Sequence, residues 1–323
     1  NKEFPIFCFG KEPMQNFILR TSCGRIFRKM NLIKLSPNII NVSESLEAHS
    51  KVSKRIISGV TGAALVLFVL FFNGSFPIIL NLFIAAIAAF AINELFSVMN
   101  ISKMFVITLP SLVFVPLFVL FKDNVGSELI WYLYTLWMLS AMILNSKLEL
   151  RDVFVTYAMS MMISTCLSKV IELRDFGGEY GGFLVLLGLG VAWISDTGAY
   201  FFGKFLGRRK LCPDVSPKKT IEGFFGGMIT CTVSLILISL IFNNFVFPSK
   251  HQINYLMIIF LGISGSLIAA LGDLCFSIIK RRCNVKDFGN IMPGHGGILD
   301  RFDSVIFTVP YVYILVRLIP IIS

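Results

Sequence analysis

The chain of 323 residues is 55% hydrophobic and only 15% charged, with a mean hydropathy of +0.78. Soluble domains carry about a quarter charged residues, so there is too little charge here to cover a water-facing surface. A soluble enzyme, a disordered chain and a secreted disulfide scaffold are excluded. The net charge of +10 does not argue for nucleic acid, because membrane proteins retain Lys and Arg on the cytoplasmic side, beside anionic lipid.

In chain order, residues 1–51 form a basic extension. Residues 1–29 carry scattered Phe and Cys but no apolar core long enough for a secretory signal. Met30 opens a plausible start, so residues 1–29 are expected to lie upstream of the true beginning. Met30–Ser53 is polar and rich in Ser and Asn, the composition of a disordered cytoplasmic tail.

Residues 52–323 are expected to form the transmembrane domain. Nine apolar segments follow one another there: Ile56–Phe72, Pro77–Phe96, Met104–Phe121, Leu129–Leu144, Val153–Val170, Phe183–Phe202, Phe224–Phe247, Tyr255–Ile279 and Val305–Ile322. Their lengths lie near the roughly 20 residues that span a bilayer as a helix. Leu129–Leu144 is short, and Pro77–Phe96 carries Asn93 and Glu94 near its inner end. The expected fold is an all-α polytopic integral membrane protein with eight or nine transmembrane helices.

Orientation follows from the cations. With a cytoplasmic N-terminus and nine crossings, the inside segments hold 24 of the 29 Lys and Arg and the outside loops hold four, with Arg317 in the last apolar run. Seven cysteines occur, with no CxxC pair, so neither a disulfide framework nor a zinc site is supported. The Met159–Met162 run and the many Phe read as lipid-facing or packing residues.

Polar residues with chemical potential concentrate in two inside stretches. The first is Trp193-Ile-Ser-Asp-Thr-Gly-Ala-Tyr-Phe-Phe-Gly203, continuing through Gly207-Arg-Arg-Lys210 to Ser216-Pro-Lys-Lys-Thr-Ile-Glu-Gly-Phe-Phe-Gly-Gly227. An aspartate inside an apolar span costs roughly 2.5–3.5 kcal/mol, so Asp196 should face a protein or water-filled cavity. Ser216-Pro217 is expected to turn the chain, setting Lys218, Lys219 and Thr220 just before the next helix. Cations and hydroxyls at a helix N-terminus make an anion site; positive-inside anchoring explains the same lysines equally well.

The second stretch begins with Asp273, Ser277 and Lys280, which share one helix face at the i, i+4, i+7 spacing. Arg281, Arg282 and Lys286 extend that face. The Gly- and Pro-rich run Asp287–Gly297 should turn back sharply, and Asp300 and Asp303 then fall on one face of the last helix. Carboxylates at the mouths of two helices can hold a hard divalent cation such as Mg²⁺, while the neighbouring cations hold phosphate oxygens. His295 either caps the turn or meets the substrate, and is too isolated for zinc. Glu94 either pairs with a cation or lines the cavity.

Ser277-Ile-Ile-Lys-Arg-Arg-Cys-Asn-Val-Lys-Asp-Phe-Gly-Asn-Ile-Met-Pro-Gly-His-Gly-Gly-Ile-Leu-Asp-Arg-Phe-Asp303 resembles the signature of the phosphatidate cytidylyltransferases, or CDP-diacylglycerol synthases. Ser277, Lys280, Arg281, Lys286, Asp287, Gly289, Pro293, His295, Gly296, Gly297, Asp300, Arg301 and Asp303 fit its fixed positions. Met292 departs from the expected bulky aliphatic. The Asp196 and Ser216–Gly223 segments resemble the family's upstream motifs, so the likeness covers residues 52–323.

The resemblance implies that CTP and phosphatidate give CDP-diacylglycerol and pyrophosphate, with Mg²⁺ required and room for a second cation. By position it implies metal-binding acids at Asp273, Asp300 and Asp303, with Lys280 beside them at the reacting phosphates. Lys218, Lys219, Arg281 and Lys286 would hold triphosphate or lipid phosphate, and Asp196, Ser216, His295 and Arg301 would line the substrate site. Phosphatidate would enter from the bilayer at the cytoplasmic face of a bacterial inner membrane. A homodimer is compatible with the family, although nothing in the sequence specifies an interface. A CTP-dependent prenol or phytol kinase, another lipid-phosphate cytidylyltransferase and a secondary transporter of phosphorylated solutes are the alternatives.

Overall fold

The computed structural model describes residues 59–323, apart from 60, 63, 71, 73–75, 122–124, 147, 247–252, 293–295 and 323. The N-terminal extension and His295 lie outside the described residues. Eight long helices follow a helical stretch within 59–72: α1 Pro77–Val98, α2 Phe105–Leu120, α3 Val125–Leu144, α4 Leu150–Gly177, α5 Gly181–Phe205, α6 Ile221–Ile241, α7 Tyr255–Arg282 and α8 Leu299–Leu318. They fall on eight of the nine apolar segments, because each segment is long enough to satisfy its own backbone as a helix and apolar enough to face lipid. The protein is all-α and of membrane type.

By length and apolar content, α1, α3, α6 (continued to Val246), α7 and the 56-residue run of α4 and α5 qualify as crossings. That run is broken at Gly178, whose φ of 51° lies in the left-handed region. The short segment at Leu129–Leu144 gains a turn at its start and becomes a 20-residue helix. In α8, Asp300, Arg301 and Asp303 near the start and Arg317 near the end lower the apolar content. In α2, Pro110 has no N–H for the Val106 carbonyl, and Trp137 of α3 donates its indole Nε1–H to that oxygen at 2.9 Å.

Small residues bring α5 and α6 together. An added Cβ on Gly227 would stand 2.6 Å from the Ser195 carbonyl oxygen, and one on Gly223 would stand 2.7 Å from that of Ala199. Ser195, Ala199 and Gly203 face Gly223 and Gly227 at four-residue spacing, the pattern that lets membrane helices touch backbone to backbone. Several small residues of the first polar stretch are thus packing residues.

Between α5 and α6 the chain forms a feature absent from the all-α expectation, a short antiparallel ribbon of β1 Lys210–Cys212 and β2 Ser216–Thr220. Ser216-Pro217 therefore lies in a strand, and the turn falls earlier, at residues 213–215. Pro213-Asp214 has the stronger turn chemistry, and Pro217 is tolerated because a two-stranded ribbon has only edge strands.

Candidate functional site

The ends of α1, α5 and α7 and the starts of α6 and α8 carry the polar residues, and local sequence fixes each end. Both α1 and α7 stop at an asparagine in the left-handed region, Asn100 (φ 59°) and Asn284 (φ 56°). In each case the following amide returns to a carbonyl of the last turn: Ile101 N–H to Phe96 at 3.0 Å and Val285 N–H to Lys280 at 3.0 Å. This is the Schellman closure. At the start of α6, Thr220 Oγ1 accepts the Gly223 N–H at 3.1 Å. The Glu222 carboxylate accepts the Arg208 and Arg209 N–H groups, at 3.0 and 3.2 Å, and so ties down the chain entering the ribbon.

The start of α8 is capped by two carboxylates. Asp300 Oδ2 accepts the N–H groups of Phe288 (2.7 Å) and Gly297 (3.0 Å), while Asp300 Oδ1 accepts from Lys280 Nζ at 2.9 Å. Three of the roughly four lone-pair sites of a carboxylate are thus filled, leaving Asp300 fixed with one acceptor site. Glu94 supplies the other cap: Oε1 accepts the Ile298 N–H at 3.0 Å and Oε2 the Leu299 N–H at 2.9 Å. Neither sequence expectation for Glu94 holds: among the described residues it makes no ion pair, and it does not line the cavity.

Around these anchors lies a cavity of about 630 Å³. Of the candidate residues, Asp196, Lys218, Lys219, Asp273, Lys280, Asp300, Arg301 and Asp303 line it. Lys219 pairs with Asp273, whose other oxygen accepts from Ser277 at 3.3 Å. Lys280 stands 3.6 Å from Asp303 while bonded to Asp300, so the expected helix faces do converge. Ser304 Oγ donates to Asp196 at 2.7 Å, and its N–H donates to Asp303 at 2.8 Å, linking acids from α5 and α8.

Ser216, Arg281 and Lys286 are not among the lining residues. Arg281 Nε donates instead to the Val215 carbonyl at 3.2 Å, holding the ribbon turn against α7. Lys204, Lys210 and Asp287 line the cavity without having been expected there; the two lysines look like ordinary membrane anchors in the sequence. Ser304 and Glu94 act through contacts that sequence spacing does not report.

The acids are hard oxygen donors, the type Mg²⁺ takes. Five carboxylates, of Asp196, Asp273, Asp287, Asp300 and Asp303, line the cavity together with Lys204, Lys210, Lys218, Lys219, Lys280 and Arg301, and ion pairs join Lys219 to Asp273 and Lys280 to Asp300 and Asp303. Among the described residues no three His, Cys, Asp or Glu side chains are grouped closely enough to share one ion; the ammonium groups stand against the carboxylates instead. Donor type fits a divalent cation, which would take carboxylate oxygens in place of those ammonium groups.

A second, more apolar cavity of about 460 Å³ adjoins the first and is lined in part by Leu65, Val66, Phe83, Ile87, Trp193 and Phe302. Asp196, Asp300, Arg301 and Asp303 belong to both.

An apolar helical bundle with a charged cavity at its helix ends, adjoining a more apolar one, defines a membrane-type protein with a polar site. Residues 53–319 match the Cytidylyltransferase family. The chain is 34% identical over 277 residues to the phosphatidate cytidylyltransferase of Bacillus subtilis, covering 82% of this chain and 97% of that protein. It is 45% identical over 144 residues to the phosphatidate cytidylyltransferase of Staphylococcus epidermidis, 45% of this chain and 51% of that one. The Staphylococcus aureus protein of the same name is 44% identical over a match of the same length and coverage. The chain belongs to the cytidylyltransferase family.

Proposed function

We propose that this protein transfers the cytidylyl group of CTP to phosphatidate, forming CDP-diacylglycerol and pyrophosphate, at the cytoplasmic face of a bacterial inner membrane. The observation that carries the reading is the junction of the two cavities. A lysine-rich, carboxylate-rich space suits a nucleoside triphosphate, the apolar space suits acyl chains, and Asp196, Asp300, Arg301 and Asp303 stand where they meet. The resemblance of the B. subtilis protein over 97% of its length supports the choice of phosphatidate.

A phosphatidate oxygen attacks the α-phosphorus of CTP, and the bond from that phosphorus to the oxygen bridging the β-phosphorus breaks. Pyrophosphate leaves with the electron pair. The nucleophile belongs to the lipid, so the protein's task is positioning and charge balance. Lys204, Lys210 and Lys218 line the triphosphate side of the cavity, and Arg301 stands where the lipid phosphate enters. Lys280, fixed by Asp300 and near Asp303, holds positive charge beside the reacting phosphates. Asp273, Asp300 and Asp303 would hold Mg²⁺, which supplies Lewis-acid stabilisation of the charge on the phosphates.

Purified protein is given phosphatidate, Mg²⁺ and CTP labelled in the cytosine ring. Label entering lipid in step with pyrophosphate release, abolished by a chelator, is the expected result. Label that reaches lipid only from γ-labelled CTP would contradict this reading and favour a kinase.

A further inference from the structure

The geometry points to Glu94 as a positioning residue for the acids of α8. Glu94 lies in the last part of α1, more than two hundred positions from the amides it accepts, and is 4% exposed. Its two oxygens take one N–H each, from Ile298 and Leu299. Asp300 takes the preceding amide, that of Gly297. Three consecutive N–H groups at the start of α8 are thus held by two carboxylates from different elements.

A bare helix N-terminus attracts phosphate. Here the chain's own carboxylates fill that place, leaving substrate phosphate to the lysines across the cavity. Glu94 also fixes where α8 begins, and therefore where Asp300 in its first turn and Asp303 one turn on present their carboxylates.

Two glycines of the signature leave room for Glu94. A Cβ on Gly289 or on Gly297 would stand 2.3 Å from a Glu94 carboxylate oxygen. Their lack of a side chain is a fit to α1, and Gly289 has no backbone requirement for glycine, its φ not being positive.

This inference rests on the proposed transfer reaction for its kinetic consequence, but its structural part can be read separately. In Glu94→Gln one N–H faces an amide that cannot accept it. Hydrogen exchange at residues 297–299 is expected to quicken, and the Mg²⁺ concentration giving half-maximal transfer is expected to rise about tenfold, as when outer supports of metal ligands are removed. Glu94→Asp, which keeps the charge, should recover part of both.

Gly297→Ala should reproduce the Gln phenotype in the wild-type background. It should add little to Glu94→Ala, where the carboxylate is already gone. This pair keeps the test readable if Glu94→Gln fails to fold. Unchanged exchange and Mg²⁺ dependence in Glu94→Gln, or a full additive effect of Gly297→Ala on Glu94→Ala, would overturn the assignment. So would a fall in kcat alone that tracks the loss of folded protein. A wild-type protein that transfers no label would instead strike at the proposed reaction, leaving the exchange measurement to judge Glu94.

Discussion

Where α2, α3 and α4 meet, Ser111 and Tyr134 share a hydrogen bond of 2.8 Å, Thr135 and Tyr157 share another, and the Tyr134 and Tyr157 rings stack at 5.5 Å. At the other polar region, the ends of α5, α7 and α8, carboxylates meet ammonium groups and backbone amides around a cavity of about 630 Å³. The first region's polar side chains are neutral, its buried Trp131 indole N–H has no hydrogen-bond partner among the described residues, and no room is left for a water between Trp131, Tyr134 and their neighbours. Polar residues in an apolar bundle therefore do not mark a site by themselves. A site needs charged groups, fixed geometry and space, and of these two regions the second has all three.

Substitutions sharpen this contrast. Asp300→Asn should have the largest effect, lowering cytidylyl transfer at least about a hundredfold, because it removes the charge that holds Lys280 and weakens the bonds to two amides; labelled lipid per unit of folded protein measures it. Lys219→Met should raise the KM for CTP about tenfold, the scale of one charged hydrogen bond, with a smaller change in kcat. Gly227→Val tests packing: the added side chain meets the Ser195 carbonyl, and a loss of about 1–3 kcal/mol is expected. Thermal unfolding in detergent would read it as a lower midpoint, with activity falling only as folded protein is lost. Smallest of all, Trp137→Phe should cost under about 1 kcal/mol and leave transfer unchanged. A hundredfold loss there would break the distinction between the two regions.

Much of this was legible in the sequence because the bilayer imposes simple rules. Segments such as Phe224–Phe247 and Tyr255–Ile279 are long enough to cross as helices, and their described residues are helical. The face shared by Asp273, Ser277 and Lys280 follows from helical periodicity and is present as hydrogen bonds and ion pairs. The ribbon at Lys210–Thr220 was not legible, since two polar strands of three and five residues carry no periodicity. Nor was the role of Glu94: a carboxylate capping a helix that begins two hundred residues later leaves no local trace. Lys204 and Lys210 were visible but ambiguous, because anchoring and phosphate binding demand the same residue. Arg281 shows the reverse, a signature cation that in the structure holds the ribbon.

The most direct measurement is photocrosslinking with an azido derivative of CTP, followed by mapping of the labelled peptides. Label confined to residues 195–224 and 270–303, and displaced by unmodified CTP, is the result this account predicts. Displaceable label on α2 or α3 would contradict it.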